Sequence, residues 1–130
     1  MGIYIKNMRV EYIIIIIIFI HWVGDFLCQT FEMATKKSTS NFHLFTHVCI
    51  YSLVWLFAGI FFFRLEQVMV FVCITFQTHF MVDYITSRWT SKLHKKEKFY
   101  GFPAFFSVIG LDQFIHYAQL ILTYMLINTF

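Results

Sequence analysis

The chain has 130 residues, 59% hydrophobic and only 13% charged, with a mean hydropathy of +0.69. Soluble domains carry about 25% charged residues, so this composition excludes an ordinary water-facing surface and suits a single domain in a bilayer. The formal charge of +3 is modest, and the basic residues flank apolar segments instead of interleaving with exposed aromatics, which argues against nucleic acid as a partner.

A bilayer core of about 30 Å takes roughly 20 apolar residues per helix, and four stretches qualify. The first spans about residues 10–29 and contains six consecutive isoleucines at 13–18. Such a β-branched run reads as a strand in water, but in a bilayer a helix satisfies every backbone group within the segment. His21, Trp22 and Asp25 stand where a cleavable leader would need small residues. A polar loop, about 30–41, precedes the second span at about 42–63. Arg64, Leu65 and Glu66 make a tight hairpin into the third span, about 66–87. A basic loop, 88–103, carries Gly101 and Pro103 near its end, which break the chain before the fourth span at about 104–128. Short links predict an all-α fold, a four-transmembrane-helix antiparallel bundle occupying 1–130 as one domain.

Basic residues orient the spans. Lys36, Lys37, Arg88, Lys92, Lys95, Lys96 and Lys98 lie in the first and third loops; Lys6, Arg9 and Arg64 lie on the other side. Loops 30–41 and 88–103 are therefore expected in the cytoplasm. Beyond the lipid bilayer itself, anionic headgroups at the basic loop are the expected partner, and the limited interior of four spans is compatible with a homo-oligomer. Cys28, Cys49 and Cys73 are isolated in apolar runs and form no CxxC, so they read as small apolar filler.

The chemistry lies in three His/Asp pairs at helical i,i+4 spacing: His21/Asp25, His79/Asp83 and Asp112/His116, with His47 in the second span. Residues so spaced share a helix face. At 1.5 Å rise per residue all seven fall roughly 6–18 Å from the cytoplasmic ends, so four polar stripes converge in one half of the bilayer. An aspartate at a helix centre costs about 2.5–3.5 kcal/mol on the insertion scale. Such residues should face inward and pair with one another or with a cation. Imidazole and carboxylate together suit zinc, iron, manganese or nickel. His21, Asp25, His47, His79, Asp83, Asp112 and His116 are the candidate ligands of a divalent transition metal (zinc, iron or manganese), and Asp25 and Asp112 the candidate catalytic carboxylates. Gln29, Tyr51, Gln113 and Gln119 read as interhelical hydrogen-bonding groups, and Lys36 and Lys37 as loop or headgroup contacts.

The segments HWVGDFLCQTFEMATKKS (21–38), HLFTHVCIY (43–51), HFMVDYITSR (79–88) and GLDQFIHYAQL (110–120) carry a resemblance. They are similar to a family of small bacterial and phage membrane proteins grouped as a domain of unknown function. Its recurrent elements are HxxxDFxxQ, an AxxKS-like loop, HxxxY, HxxxD and DQxxH. The resemblance implies a multi-span fold in a bacterial cytoplasmic membrane, including that of a phage-infected host, and brings no activity with it. The His/Asp plan is also similar to membrane-bound metal-dependent hydrolases, by analogy of residue type. Three functions are open on this evidence: a metal site hydrolysing a membrane-associated substrate, a proton or metal-ion transporter, and a non-catalytic bacterial or phage accessory protein.

Overall fold

The computed structural model describes residues 8–97 and 103–129. Among these the chain is helical and has no strand: α1 (Val10–Trp22) runs into a π-helical turn (Val23–Leu27), followed by α2 (Phe31–Lys36), α3 (Asn41–Phe62), α4 (Leu65–Glu97) and α5 (Pro103–Ile127). α1 with its π turn, α3, α4 and α5 are long and apolar enough to cross a membrane. They form an antiparallel bundle in which α4 packs on both α3 and α5, and α1 and its π turn lean on α3 and α5.

Two apolar populations explain the packing. Ile13, Ile17, Tyr51, Trp55, Phe71, Leu120 and Ile127 form a buried core at one end of the bundle. Ile15, Phe19, Phe57, Phe61, Met81, Phe114 and Leu122 remain exposed around its circumference. A water-soluble protein would not show so continuous an apolar surface, whereas hydrocarbon accepts it. Cys73 lies on that outer surface and Cys28 and Cys49 are half-buried, so the cysteines fill the interior less than their apolar context suggests.

The loops differ from expectation in two places. Residues 88–97, expected as part of a basic loop, continue α4 as helix. The 33 residues of α4 span about 50 Å at helical rise, well beyond the hydrocarbon thickness. Its last turns, with Arg88, Lys92, Lys95 and Lys96, are the polar part of that excess length. Arg88 ties this extension to the start of α3 through Asn41 Oδ1 at 2.6 Å and caps the Tyr84 ring at 3.7 Å. Lys98 and Gly101 lie outside the described residues. The first loop also contains α2, whose N-terminus is capped by Thr30 Oγ1 accepting from the Met33 amide. Met33 buries against the bundle, so the loop folds back over the end of the helices.

The π turn shapes the interior. The Cys28 amide reaches the Val23 carbonyl at 2.9 Å, five residues back, which widens this turn relative to an α-helix. Gly24 and Asp25 turn inward while Trp22, Phe26 and Leu27 face out. Gly24 is required by contact: a Cβ there would lie 2.8 Å from Tyr51 Cδ2, whereas one at Gly110 would meet nothing within 4 Å. Gly24→Ala is expected to cost about 1–3 kcal/mol through overpacking. Gly110→Ala, at an open helical position, should be neutral or stabilising by up to about 1 kcal/mol. Thermal unfolding in detergent, followed by near-ultraviolet circular dichroism, compares the two.

Candidate metal centre

Each long helix delivers its polar residues to one place. α1 and its π turn bring His21 and Asp25, α3 brings His47, α4 brings His79 and Asp83, and α5 brings Asp112 and His116. All but Asp112 are buried, with exposures of 0–3%; the Asp112 side chain is 15% exposed.

At the centre, four ligand atoms face one another. His47 Nε2 lies 3.0 Å from Asp25 Oδ1 and 3.2 Å from His79 Nε2. His79 Nε2 lies 3.5 Å from Asp25 Oδ1 and 3.7 Å from Asp83 Oδ2, and His47 Nε2 lies 3.5 Å from Asp83 Oδ2. Ligands about 2.0–2.2 Å from a tetrahedral ion lie about 3.3–3.6 Å from one another; the five spacings of 3.0–3.7 Å bracket that range, so small side-chain shifts would let the four atoms hold an ion. The proton count points the same way. The carboxylates supply no protons, and each neutral imidazole carries one, on either nitrogen. Nδ1 of both His47 and His79 is buried without a hydrogen-bond partner. At most two N–H groups can serve five close pairings, whereas one cation serves them all.

His116 stands beside this group. Its Nε2 is 3.1 Å from Asp83 Oδ1 and 3.5 Å from Asp112 Oδ1, and its ring stacks on His79 at 4.2 Å. The His79 ring stacks in turn on Tyr51 at 3.9 Å. The imidazoles are thus held in plane-to-plane register by neighbours from α3 and α5.

His21 enters the cluster differently. Its Nε2 donates to Gln113 Oε1 at 3.0 Å, and its Nδ1 accepts from the Tyr51 hydroxyl at 2.7 Å. Both ring nitrogens are engaged, so His21 stands behind Asp25 and outside the converging ligand atoms. Gln113 completes the chain, donating through Nε2 to Asp25 Oδ2 at 3.2 Å and to Asp112 Oδ2 at 3.1 Å. Outer partners of this kind fix the orientation of ligand carboxylates. Thr86 Oγ1 donates to Asp112 Oδ1 from α4.

Lys37 is the residue that sequence reasoning placed wrongly. It does not reach out to headgroups: the fold-back of α2 inserts its Nζ 2.8 Å from Asp83 Oδ2. Burial works against its charge, but Asp83, Asp25 and Asp112 outweigh that and push its pKa up. The signal in the sequence was its place in the AxxKS-like loop element; nothing in the spacing foretold the return of the loop. Lys36, its neighbour, pairs instead with exposed Glu32 at 2.6 Å.

The centre is reached by a cleft of about 480 Å3. Asp25, Asp83, Asp112 and Gln113 form its floor, Lys37 and the hydroxyls of α4 line it, and exposed His94 is at its rim. It opens at the end of the bundle that carries α2 and the basic extension of α4. On the other side of the cluster lies the apolar core.

With that geometry in place, sequence comparison adds the family. The chain belongs to DUF3307, described as a protein of unknown function, whose model matches residues 13–130 and so includes every residue of the cluster. No curated protein and no solved structure matches the chain.

Lys37→Met leaves Asp83 short of a cation and should lower stability by about 1–3 kcal/mol. Lys36→Met, which loses only an exposed ion pair, should change it by less than about 0.5 kcal/mol. Unfolding of both variants in mixed micelles by added denaturing detergent measures the difference.

Proposed function

We propose that this DUF3307 chain is an integral membrane metalloprotein that uses a bound divalent transition metal to hydrolyse a membrane-associated substrate. The observation that carries the metal is the convergence of His47 Nε2, His79 Nε2, Asp25 Oδ1 and Asp83 Oδ2, whose five mutual pairings share at most two N–H groups, while Lys37 serves Asp83 Oδ2 from outside the group. Two imidazoles with two carboxylates suit zinc, iron or manganese. Such an ion polarises a substrate oxygen and acidifies a water.

The chain's own residues supply the rest. Asp25 and Asp112, tied together by Gln113 and both on the cleft floor, are the carboxylates placed to take or return a proton. Lys37 and the bound ion together offset the three carboxylates of the cleft, so an anionic substrate such as a phosphate-bearing lipid is not repelled there. The cleft opens beside Arg88, Lys92, Lys95 and Lys96, and their charge supports a cytoplasmic side of a bacterial membrane for that end, against anionic headgroups.

Metal analysis of detergent-purified protein by inductively coupled plasma mass spectrometry tests the centre. Zinc, iron or manganese should be retained by the native chain and lost from a folded His79→Ala/Asp83→Ala variant. Release of phosphate or headgroup from phospholipids or isoprenoid phosphates in proteoliposomes tests the hydrolysis. Loss of at least about 100-fold in Asp112→Asn is expected if that carboxylate handles the proton. A metal-loaded protein that turns over none of these substrates sinks the hydrolase reading.

One observation favours a second reading, proton or ion passage. A polar ladder lies one turn of α4 beyond His79, toward the far side: Gln119 Nε2 donates to Thr75 Oγ1 at 3.3 Å and to Thr123 Oγ1 at 2.9 Å. The next turn of α5 is buried Ile127, within the apolar core, so the ladder ends before the surface. This reading expects proton flux in liposomes that Asp83→Asn reduces several-fold; flux equal to that of empty liposomes rejects it.

A further inference from the structure

Hydrolysis at this site requires no more than one ion, yet Asp83 belongs to two ligand groups. The ligand atoms of Asp25, His47, His79 and Asp83 lie within 4.8 Å of one another, and so do those of Asp83, Asp112 and His116. The two oxygens of Asp83 divide between them. Oδ2 faces His47 and His79 at 3.5 and 3.7 Å, and Oδ1 faces His116 at 3.1 Å. A carboxylate whose two oxygens serve separate nitrogen donors has the form of a metal bridge, in which the ions stand about 3.5–4 Å apart. The bond from Lys37 to Oδ2 does not prevent this, because each carboxylate oxygen has two lone-pair directions.

The two positions differ in kind. The first has four protein ligands, all buried, which closes a tetrahedral shell. The second has three, and one of them, Asp112, is on the floor of the cleft. Three protein ligands leave a place for a water or substrate. Asp112 is already held for such a role, since Thr86 donates to one of its oxygens and Gln113 to the other.

We propose that the protein binds two divalent transition-metal ions bridged by Asp83: a closed position at Asp25, His47, His79 and Asp83, and an open one at Asp83, Asp112 and His116 facing the cleft. The proposal rests on the metal-binding reading above and makes Asp112 and His116 ligands of the ion that meets the substrate. Charge fits this assignment. Three carboxylates and Lys37 sum to −2, so the first divalent ion neutralises the cluster. The second leaves +2, and the open position then takes an anion from the cleft.

The test uses the full chain in detergent, loaded with Mn2+, washed, and examined by metal analysis and electron paramagnetic resonance. The native protein should retain two ions per chain and give an exchange-coupled signal. His116→Ala and the milder Asp112→Asn should each drop to one ion with an isolated six-line spectrum, while keeping the native circular dichroism. If one variant fails to fold, the other decides. One ion per chain in the native protein overturns the second position but leaves the metal reading standing. Two ions without exchange coupling overturn the Asp83 bridge. Retention of no metal by the native chain overturns both readings at once.

Discussion

The interaction on which the bundle depends is the neutralisation of Asp83. Its carboxylate is 1% exposed in the middle of a helix long enough to cross a membrane. One oxygen receives Lys37 from the folded-back loop, and the other meets His116 from α5. His47 approaches from α3, and His79 lies one turn back along α4. Four segments are thereby drawn to one point. A charge left alone there would cost several kcal/mol, so any arrangement that breaks these contacts is penalised at once. The carboxylate thus specifies how the helices are rotated about their axes, which lipid-facing isoleucine and phenylalanine cannot do.

The same demand shapes the parts that touch no ligand. The π turn and Gly24 let Tyr51 approach α1 closely enough to hold His21. His21 then holds Gln113, and Gln113 holds Asp25 and Asp112 together. Tyr51 also stacks on His79. A single tyrosine therefore supports the centre along two routes, one through hydrogen bonds and one through ring packing. The apolar core behind it closes the far end, so polarity is concentrated on the side where the cleft opens. On that far side the short polar ladder of Gln119, Thr75 and Thr123 ends against the apolar core.

Much of this was legible in the residues. Each span showed as about twenty apolar residues, and the i,i+4 pairs showed which face of each helix had to turn inward. Their common depth followed from counting residues from the loops. What was not legible follows from the limits of that reasoning. Spacing along one helix cannot tell a converging ligand from a supporting one: His21 and His79 have the same i,i+4 aspartate, yet only His79 faces the other ligand atoms. Hydropathy also sets where a helix meets lipid, not where it stops, so the basic end of α4 read as loop while its backbone stays helical through Glu97.

The sequence by itself determined four apolar helices, their antiparallel order, and the gathering of histidine and aspartate in one half of the bundle, because these depend only on hydrophobicity and periodicity along the chain. Tertiary structure alone decided that Asp83 shares its two oxygens between neighbouring groups, that Lys37 returns to meet it, and that Asp112 borders the cleft. Those relations join residues up to 46 positions apart, across helices whose rotation and tilt are set by packing, and no local pattern encodes a distance between separate helices.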